Sequence, residues 1–177
     1  MGECSFMEIK TERLTLRPLD KSDLNTTHEY ASCPENGMFI EFLPNKTLED
    51  TADFLQWVSS QWQSEGQKAY EFAVLLDGKH IGAASINLAQ DGTASVGWII
   101  HKDYWGKGYA TEAAKEVLNF ALETLGIKKV IATCDYRNIA SIKVMEKIGM
   151  KFDNGDMLRS YKDGEKDVQE LMYSIQI

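Results

Sequence analysis

The stretch Val96-Gly97-Trp98-Ile99-Ile100-His101-Lys102-Asp103-Tyr104-Trp105-Gly106-Lys107-Gly108-Tyr109-Ala110-Thr111-Glu112-Ala113 decides how this chain is read. It begins as an apolar strand, passes through a tight glycine turn and enters the first turn of a helix. That order gathers free backbone N–H groups, the positive end of a helix dipole and Lys107 at one place, which is the arrangement that binds phosphate. Glycine at 106 and 108 removes the Cβ atoms that would hold an anion away from the amides. The turn itself carries no carboxylate. The tripeptide does not match the Gly-x-x-x-x-Gly-Lys-Ser/Thr loop of nucleoside triphosphatases. A glycine pair alone marks any tight turn; the strand before it and the helix after it give this one its meaning.

Outward from this stretch, the chain alternates strands and helices. Glu12–Leu19 alternates apolar and polar residues up to Pro18 and reads as a first strand. Asp20 is placed to cap a helix over residues 21–32. Thr47 and Asp50 form a capping-box pattern ahead of Phe54, Leu55, Trp57, Val58 and Trp62 at helical spacing. Strands at Tyr70–Leu76 and Lys79–Leu88 flank Asp77-Gly78, a hairpin signal, and Asp91-Gly92 turns the chain into Ala94–His101. From Tyr109 the period becomes 3.6, through Ala113, Ala114, Val117, Leu118, Ala121, Leu122 and Leu125 to Gly126. Lys128–Cys134 reads as a buried strand, Asn138 caps a short helix stopped by Gly149, and two last strands flank Asp163-Gly164. The expected order is β-α-α-β-β-β-α-β-α-β-β, an α/β (α+β) fold of about seven strands and four helices in one domain spanning residues 1–177. A doubly wound nucleotide fold needs more βαβ units than this.

Composition narrows the function. With 177 residues the chain can bury a core without staples. A formal net charge of -8 argues against a nucleic-acid surface and leaves a cationic acceptor electrostatically reasonable, although mild acidity is also an ordinary route to solubility. Cys4, Cys33 and Cys134 are odd in number and widely spaced, so neither a disulfide framework nor a zinc site is indicated. No segment reads as a signal peptide, a membrane span or a myristoylation site, and a cytoplasmic protein is expected. The oligomeric state stays open, a homodimer being the commonest symmetric choice.

Trp105-Gly106-Lys107-Gly108-Tyr109-Ala110 resembles the acetyl-CoA pyrophosphate signature of the GNAT N-acetyltransferases, Gln/Arg-x-x-Gly-x-Gly/Ala. Asn138-x-x-Ser141, followed by Glu146-Lys147-x-Gly149-Met150, resembles that family's next motif. Glu12-Arg13-Leu14-x-Leu16-Arg17-Pro18 and Tyr-Trp-Gly-x-Gly-Tyr-Ala-Thr-Glu-Ala are similar to the branch that contains the ribosomal-protein N-terminal acetyltransferases. The resemblance implies a GNAT-like fold and acetyl-CoA as co-substrate, with no metal. It implies that backbone groups of Gly106, Lys107, Gly108, Tyr109 and Ala110 bind the pyrophosphate, with the Thr111 hydroxyl beside them. Trp98, Ile99 and Ile100 would pair with the pantetheine arm as a substitute strand, the Ile99 N–H polarising the thioester carbonyl, and Asn138 would bond the arm from the far side. As an N-cap, Asn138 uses its side-chain oxygen and leaves its amide donors free, so both roles are compatible.

The catalytic groups follow less directly. The tyrosine that many members carry seven places after the asparagine is Met145 here. Ser141 matches a hydroxyl assigned the thiol-protonating role in the ribosomal-protein branch, and a local bond within its helix is the ordinary alternative. The glutamate often found before the strand's glycine is Ser95. Glu71 is taken as the candidate base, with Glu41 and His101 behind it; each has an ordinary structural reading. Cys134, among apolar neighbours, reads as an inert thiol, so the amine attacks directly. Deprotonating an α-amine of pKa ~7.8 at pH 7 costs about 1 kcal/mol, against about 4.6 for an alkyl amine of ~10.4. A site without an evident strong base therefore suits an α-amino group, of a protein N-terminus or a small molecule. A polyamine or antibiotic amine acetyltransferase and a non-catalytic CoA-binding sensor are the competing readings, and fold alone does not separate them.

Overall fold

The computed structural model describes residues 7–162 and 164–177. Cys4 and the rest of the N-terminal segment, and Asp163 of the expected last turn, lie outside the described residues. Eight strands form one open sheet in the order β1-β2-β3-β4-β5-β6-β8-β7. They are β1 (Ile9–Lys10), β2 (Leu14–Pro18), β3 (Ala69–Leu76), β4 (Lys79–Leu88), β5 (Ala94–Ile100), β6 (Lys129–Asp135), β7 (Lys151–Arg159) and β8 (Val168–Gln176). The helices are α1 (Leu24–Ala31), α2 (Pro34–Gly37), α3 (Leu48–Trp62), α4 (Tyr109–Asn119) and α5 (Ile139–Lys147).

The expectation of about seven strands and four helices is thus one short in each class. The extra strand, β1, has two residues and pairs only Ile9 with Leu16 and Lys10 with Thr15, too short to show a period. The extra helix, α2, is a single turn begun by Pro34, shorter than any helical periodicity can reveal. Asp20 does cap the first helical segment, but over Lys21–Asp23 that segment is a 3-10 turn before α1 begins. The Thr47/Asp50 capping box is present as read. Asp77 and Gly78 both adopt positive φ, 49° and 79°, as the two-residue hairpin turn requires.

Alternation along the strands sorts the side chains onto two faces. Leu14, Leu16, Phe72, Val74, Ile86 and Val96 meet α4 and α5 through Ala113, Val117, Leu118, Val144 and Met145 in the main core. On the opposite face Leu19 and Ala73 pack on Leu55 and Val58 of α3, and Ala83 packs on Tyr30 and Ala31 of α1. Each fully buried large side chain among these stabilises the fold by roughly 1.5–3 kcal/mol.

The sheet is broken at one place. β5 pairs with β4 from Gly82↔Ile100 to Leu88↔Ala94, and β6 pairs with β8 from Lys129↔Gln176 to Asp135↔Glu170. Between β5 and β6 the pairs are Ala94↔Val130 and Ser95↔Ile131, the one parallel contact of the sheet among the described residues. Beyond them the two strands part, leaving an opening with an unpaired strand edge on each side.

Candidate active site

The edge of β5 that faces the opening is identified by its register. The His101 N–H donates to the Ile81 carbonyl on the β4 side at 2.8 Å. Backbone groups alternate along an antiparallel strand, so Ile99 and Gly97 point to β4, whereas Val96, Trp98 and Ile100 point into the opening. The Ile100 carbonyl confirms the direction: it accepts from Asn36 Nδ2 at 2.7 Å and from Trp105 Nε1 at 2.6 Å. The N–H groups of Trp98 and Ile100 and the carbonyl of Trp98 are left along that edge. The expectation that Ile99 presents its own N–H to a thioester is therefore corrected, because that N–H belongs to the β4 ladder opposite Ala83.

Directly after β5 a 3-10 turn, Lys102–Tyr104, leads into the glycine loop. Gly106 and Gly108 adopt φ of 75° and 83°, values open to glycine and costly to residues with a Cβ. The N–H groups of Gly106 through Thr111 donate to no acceptor among the described residues, since the first helical bond runs from Glu112 N–H to the Gly108 carbonyl. A Cβ at Gly106 would meet nothing within 4 Å, so the loop is open on its outer side. This row of unpartnered amides at a helix N-terminus fits a diphosphate. Lys107 stays near it, with Nζ 3.4 Å from the Asp103 carbonyl.

Across the opening, Asn138 caps α5 by accepting from the Ser141 N–H at 3.1 Å. Its amide donors make no bond among the described residues, and neither does the Ser141 hydroxyl, so the local bond that would explain Ser141 as a helix residue is not made. Cys134, on the last part of β6, is buried, and burial pushes its thiol up to about 11. The structure thus gathers Trp98, Ile100, Gly106–Thr111, Asn138 and Ser141 around one opening.

Glu71 lies elsewhere. It stands on β3, opposite Ser85 of β4, which stands opposite Gly97 of β5. The three share the sheet face that carries α1 and α3. Burial pushes the Glu71 carboxyl up to about 8. Ser85 Oγ is 3.1 Å from where a Cβ on Gly97 would stand, so the row Glu71–Ser85–Gly97 ends beside the opening. His101 lies outside this row. It caps the 3-10 turn by accepting from the Asp103 N–H at 3.2 Å, and its ring lies edge-on to Tyr104. Glu41 keeps its side chain exposed, while its carbonyl accepts from the Lys162 N–H at 2.9 Å.

A cavity of about 530 Å³ lies on this same face, between the segment after α1 and the end of β7. Its walls include Met38, Phe39, Leu43, Pro44, Tyr161 and Arg137. Arg159, itself buried, joins its two sides: Nη1 donates to the Phe39 carbonyl at 3.0 Å, and Nη2 pairs with Glu170 and reaches Thr133 of β6 at 3.4 Å. Below it, Asp135 accepts from Tyr161 and Arg137 at 2.7 Å each. Burial raises the Asp135 carboxyl, but these bonds outweigh it and hold the group at about 2. The roles of Arg159, Asn36 and Ser85 are not legible in the sequence. Asn36 bonds Ile100 and Arg159 bonds Phe39 across long stretches of chain, and nothing in local spacing marks either pair.

Residues 13–151 match the family profile described as Acetyltransferase (GNAT) domain. The chain is 29% identical over 174 residues to the uncharacterized N-acetyltransferase YnaD of Bacillus subtilis, covering 96% of both. It is 30% identical to a GNAT-family acetyltransferase of known structure from Bacillus anthracis, with a TM-score of 0.80 over 96% of this chain and 98% of the other. The structure of RimL, a ribosomal L7/L12 α-N-protein acetyltransferase in complex with coenzyme A, superposes with a TM-score of 0.85 at 17% identity, covering 97% and 98%. At that identity the likeness is one of fold.

Proposed function

We propose, from the premise that this chain belongs to the GNAT acetyltransferase family and is an acetyl-CoA-dependent N-acetyltransferase, that its acceptor is an α-amino group, of a protein N-terminus or a small molecule, which attacks directly. The observation that carries this reading is the two-sided opening between β5 and β6. The row of amides at Gly106–Thr111, unbonded among the described residues, lies on one side of it, and the cavity walled by Phe39 and Leu43 lies on the other face of the sheet.

Acetyl-CoA supplies an acetyl thioester. The loop amides hold its diphosphate, the Trp98 and Ile100 edge and the Asn138 amide hold its arm, and the Trp98 or Ile100 N–H donates to the carbonyl oxygen as negative charge develops there. The acceptor enters from the cavity. Its nitrogen forms the new N–C bond as the C–S bond breaks. The proton shed by the amine passes through Ser85 and water to Glu71, and the departing sulfur takes one from Ser141 or from solvent. A carboxyl pushed up to about 8 by burial exchanges protons readily with an α-amine of pKa ~7.8 and poorly with one of ~10.4.

The cavity walls favour the same acceptor over a polyamine. A polycation needs several free carboxylates, whereas Glu165, the carboxylate lining this cavity, is held by Arg137 at 2.9 Å. The remaining wall is largely apolar and suits a side chain next to the reacting amine. RimL, an α-N-protein acetyltransferase by name, has the same fold.

The test is release of CoA thiol from acetyl-CoA in the presence of three panels: peptides with a free α-amine, small α-amines, and polyamines. Turnover on either α-amine panel is the expected result, and the two panels separate a protein from a small-molecule acceptor. Preference for polyamines overturns the acceptor assignment, and CoA binding without turnover on any panel replaces the enzyme by a CoA-binding protein.

A further inference from the structure

Arg13, just ahead of β2, reaches across the sheet edge to the glycine loop. Its backbone N–H donates to Glu112 Oε1 at 2.8 Å, Nε donates to Oε2 at 2.8 Å, and Nη2 lies 2.7 Å from Oε2. Nη1 donates to the Lys107 carbonyl at 2.9 Å. The guanidinium also stacks 4.7 Å from the centre of the Tyr109 ring, and Nη2 is 3.3 Å from where a Cβ on Gly108 would stand. Thr11 Oγ1 completes the ring of donors, 2.5 Å from Glu112 Oε1.

Two consequences follow from elementary geometry and charge. In a trans peptide the C=O and the next N–H point in opposite directions. Holding the Lys107 carbonyl inward therefore turns the Gly108 N–H outward, to the side where an anion would sit. Glu112 occupies the first turn of α4, where a free carboxylate would repel a diphosphate at the helix N-terminus. With Arg13 and Thr11 bonded to both its oxygens, that charge is neutralised and turned aside.

We infer that Arg13 is a positioning residue for the diphosphate of acetyl-CoA, acting through the Lys107 carbonyl and through Glu112 rather than by touching the ligand. The inference rests on the acetyl-CoA reading above and adds a residue to it. A purely structural role would weaken every ligand alike; this one concerns only ligands that carry the diphosphate.

The experiment measures CoA affinity by calorimetry and the affinity of pantetheine, which has the arm without the diphosphate, by ligand-observed NMR. Wild type, Arg13→Ala, Arg13→Lys and the double variant Arg13→Ala/Glu112→Gln are compared, with melting temperature as the folding control. Arg13→Ala is expected to raise the Kd for CoA by about tenfold, the scale of one charged interaction at a helix end, with pantetheine unchanged within about twofold. The double variant should recover part of the loss because the freed carboxylate is gone. If Arg13→Ala does not fold, Arg13→Lys, which keeps the charge but not the fork, should show the same selective loss in smaller measure. Unchanged CoA affinity in the folded variants, or equal loss for pantetheine, overturns the inference. Failure of the wild type to bind CoA would instead overturn the acetyl-CoA reading itself.

Discussion

Glu71 of β3 and Ser85 of β4 stand directly opposite each other, on the sheet face that carries α1 and α3. Directly opposed residues bring their Cβ atoms to about 5 Å, within reach of a hydrogen bond between a carboxyl and a hydroxyl or one bridging water. Gly97, next in the row, leaves the far side of Ser85 uncovered toward the opening.

The pH dependence of Glu71 follows with a definite sign. Its folded pKa, raised by burial to about 8, lies above the ordinary 4.5. Between those values the unfolded chain loses the proton while the folded chain keeps it, so Glu71 lowers stability progressively as pH rises from about 4.5 to 8. Glu71→Gln should therefore melt at the same temperature as wild type near pH 4 and at a higher temperature at pH 8. Thermal denaturation across that range checks it, and a variant less stable at pH 8 contradicts it. In turnover, the same variant should lose the limb of the pH–rate profile that rises toward pH 8.

Asn138 has a cap bond to the Ser141 N–H and amide donors that make no bond among the described residues, and one substitution separates them. Asn138→Asp keeps an oxygen for the Ser141 N–H and removes the donors. Melting temperature should hold, while the KM for acetyl-CoA rises severalfold. Asn138→Ala should raise the KM similarly and also cost about 1 kcal/mol of stability. Equal kinetics for Asn138→Asp and wild type would reduce Asn138 to a helix cap.

Cys134 is held protonated at neutral pH, its thiol pushed up to about 11, and so is no nucleophile there. Cys134→Ala should keep kcat within about threefold and cost about 1 kcal/mol for the lost buried sulfur. Steady-state kinetics decide it: a loss of about 100-fold, roughly 2.7 kcal/mol of barrier, in a folded variant would require an acyl-enzyme.

Arg159 ties the Phe39 segment to the strands beyond the opening. Arg159→Met alone leaves Glu170 buried without its partner and should cost roughly 3–5 kcal/mol. Arg159→Met with Glu170→Met should recover most of that stability. In both variants the Phe39 carbonyl is released, so the KM for the acceptor should rise while the affinity for CoA stays at the wild-type value. Chemical denaturation gives the first quantity and kinetics with calorimetry the second.

The order of elements along the chain, the Thr47/Asp50 capping box, the Asp77-Gly78 turn and the glycine loop are legible because each is a local pattern in the chain. What was missed was either too short to show a period, as in β1 and α2, or dependent on a distant partner. Arg13 is 99 residues from Glu112, and no spacing reports such a pair. Ile99 differs from its expected role as the donor to the thioester carbonyl, because a strand's apolar pattern tells which side chains share a face but not which edge each amide faces.

By itself, then, the sequence determined the element order and the glycine loop at a helix start, which follow from propensities, periodicity and turn chemistry acting over a few residues, and its motifs carried the family resemblance. Only the tertiary structure decided that β5 and β6 part after Ser95 and Ile131 and that Trp98 and Ile100 face the gap. It also decided that Glu71 is desolvated beside Ser85 and that Arg13 pairs with Glu112. These are matters of register, burial and through-space charge, which exist only once segments far apart in the chain have been brought together.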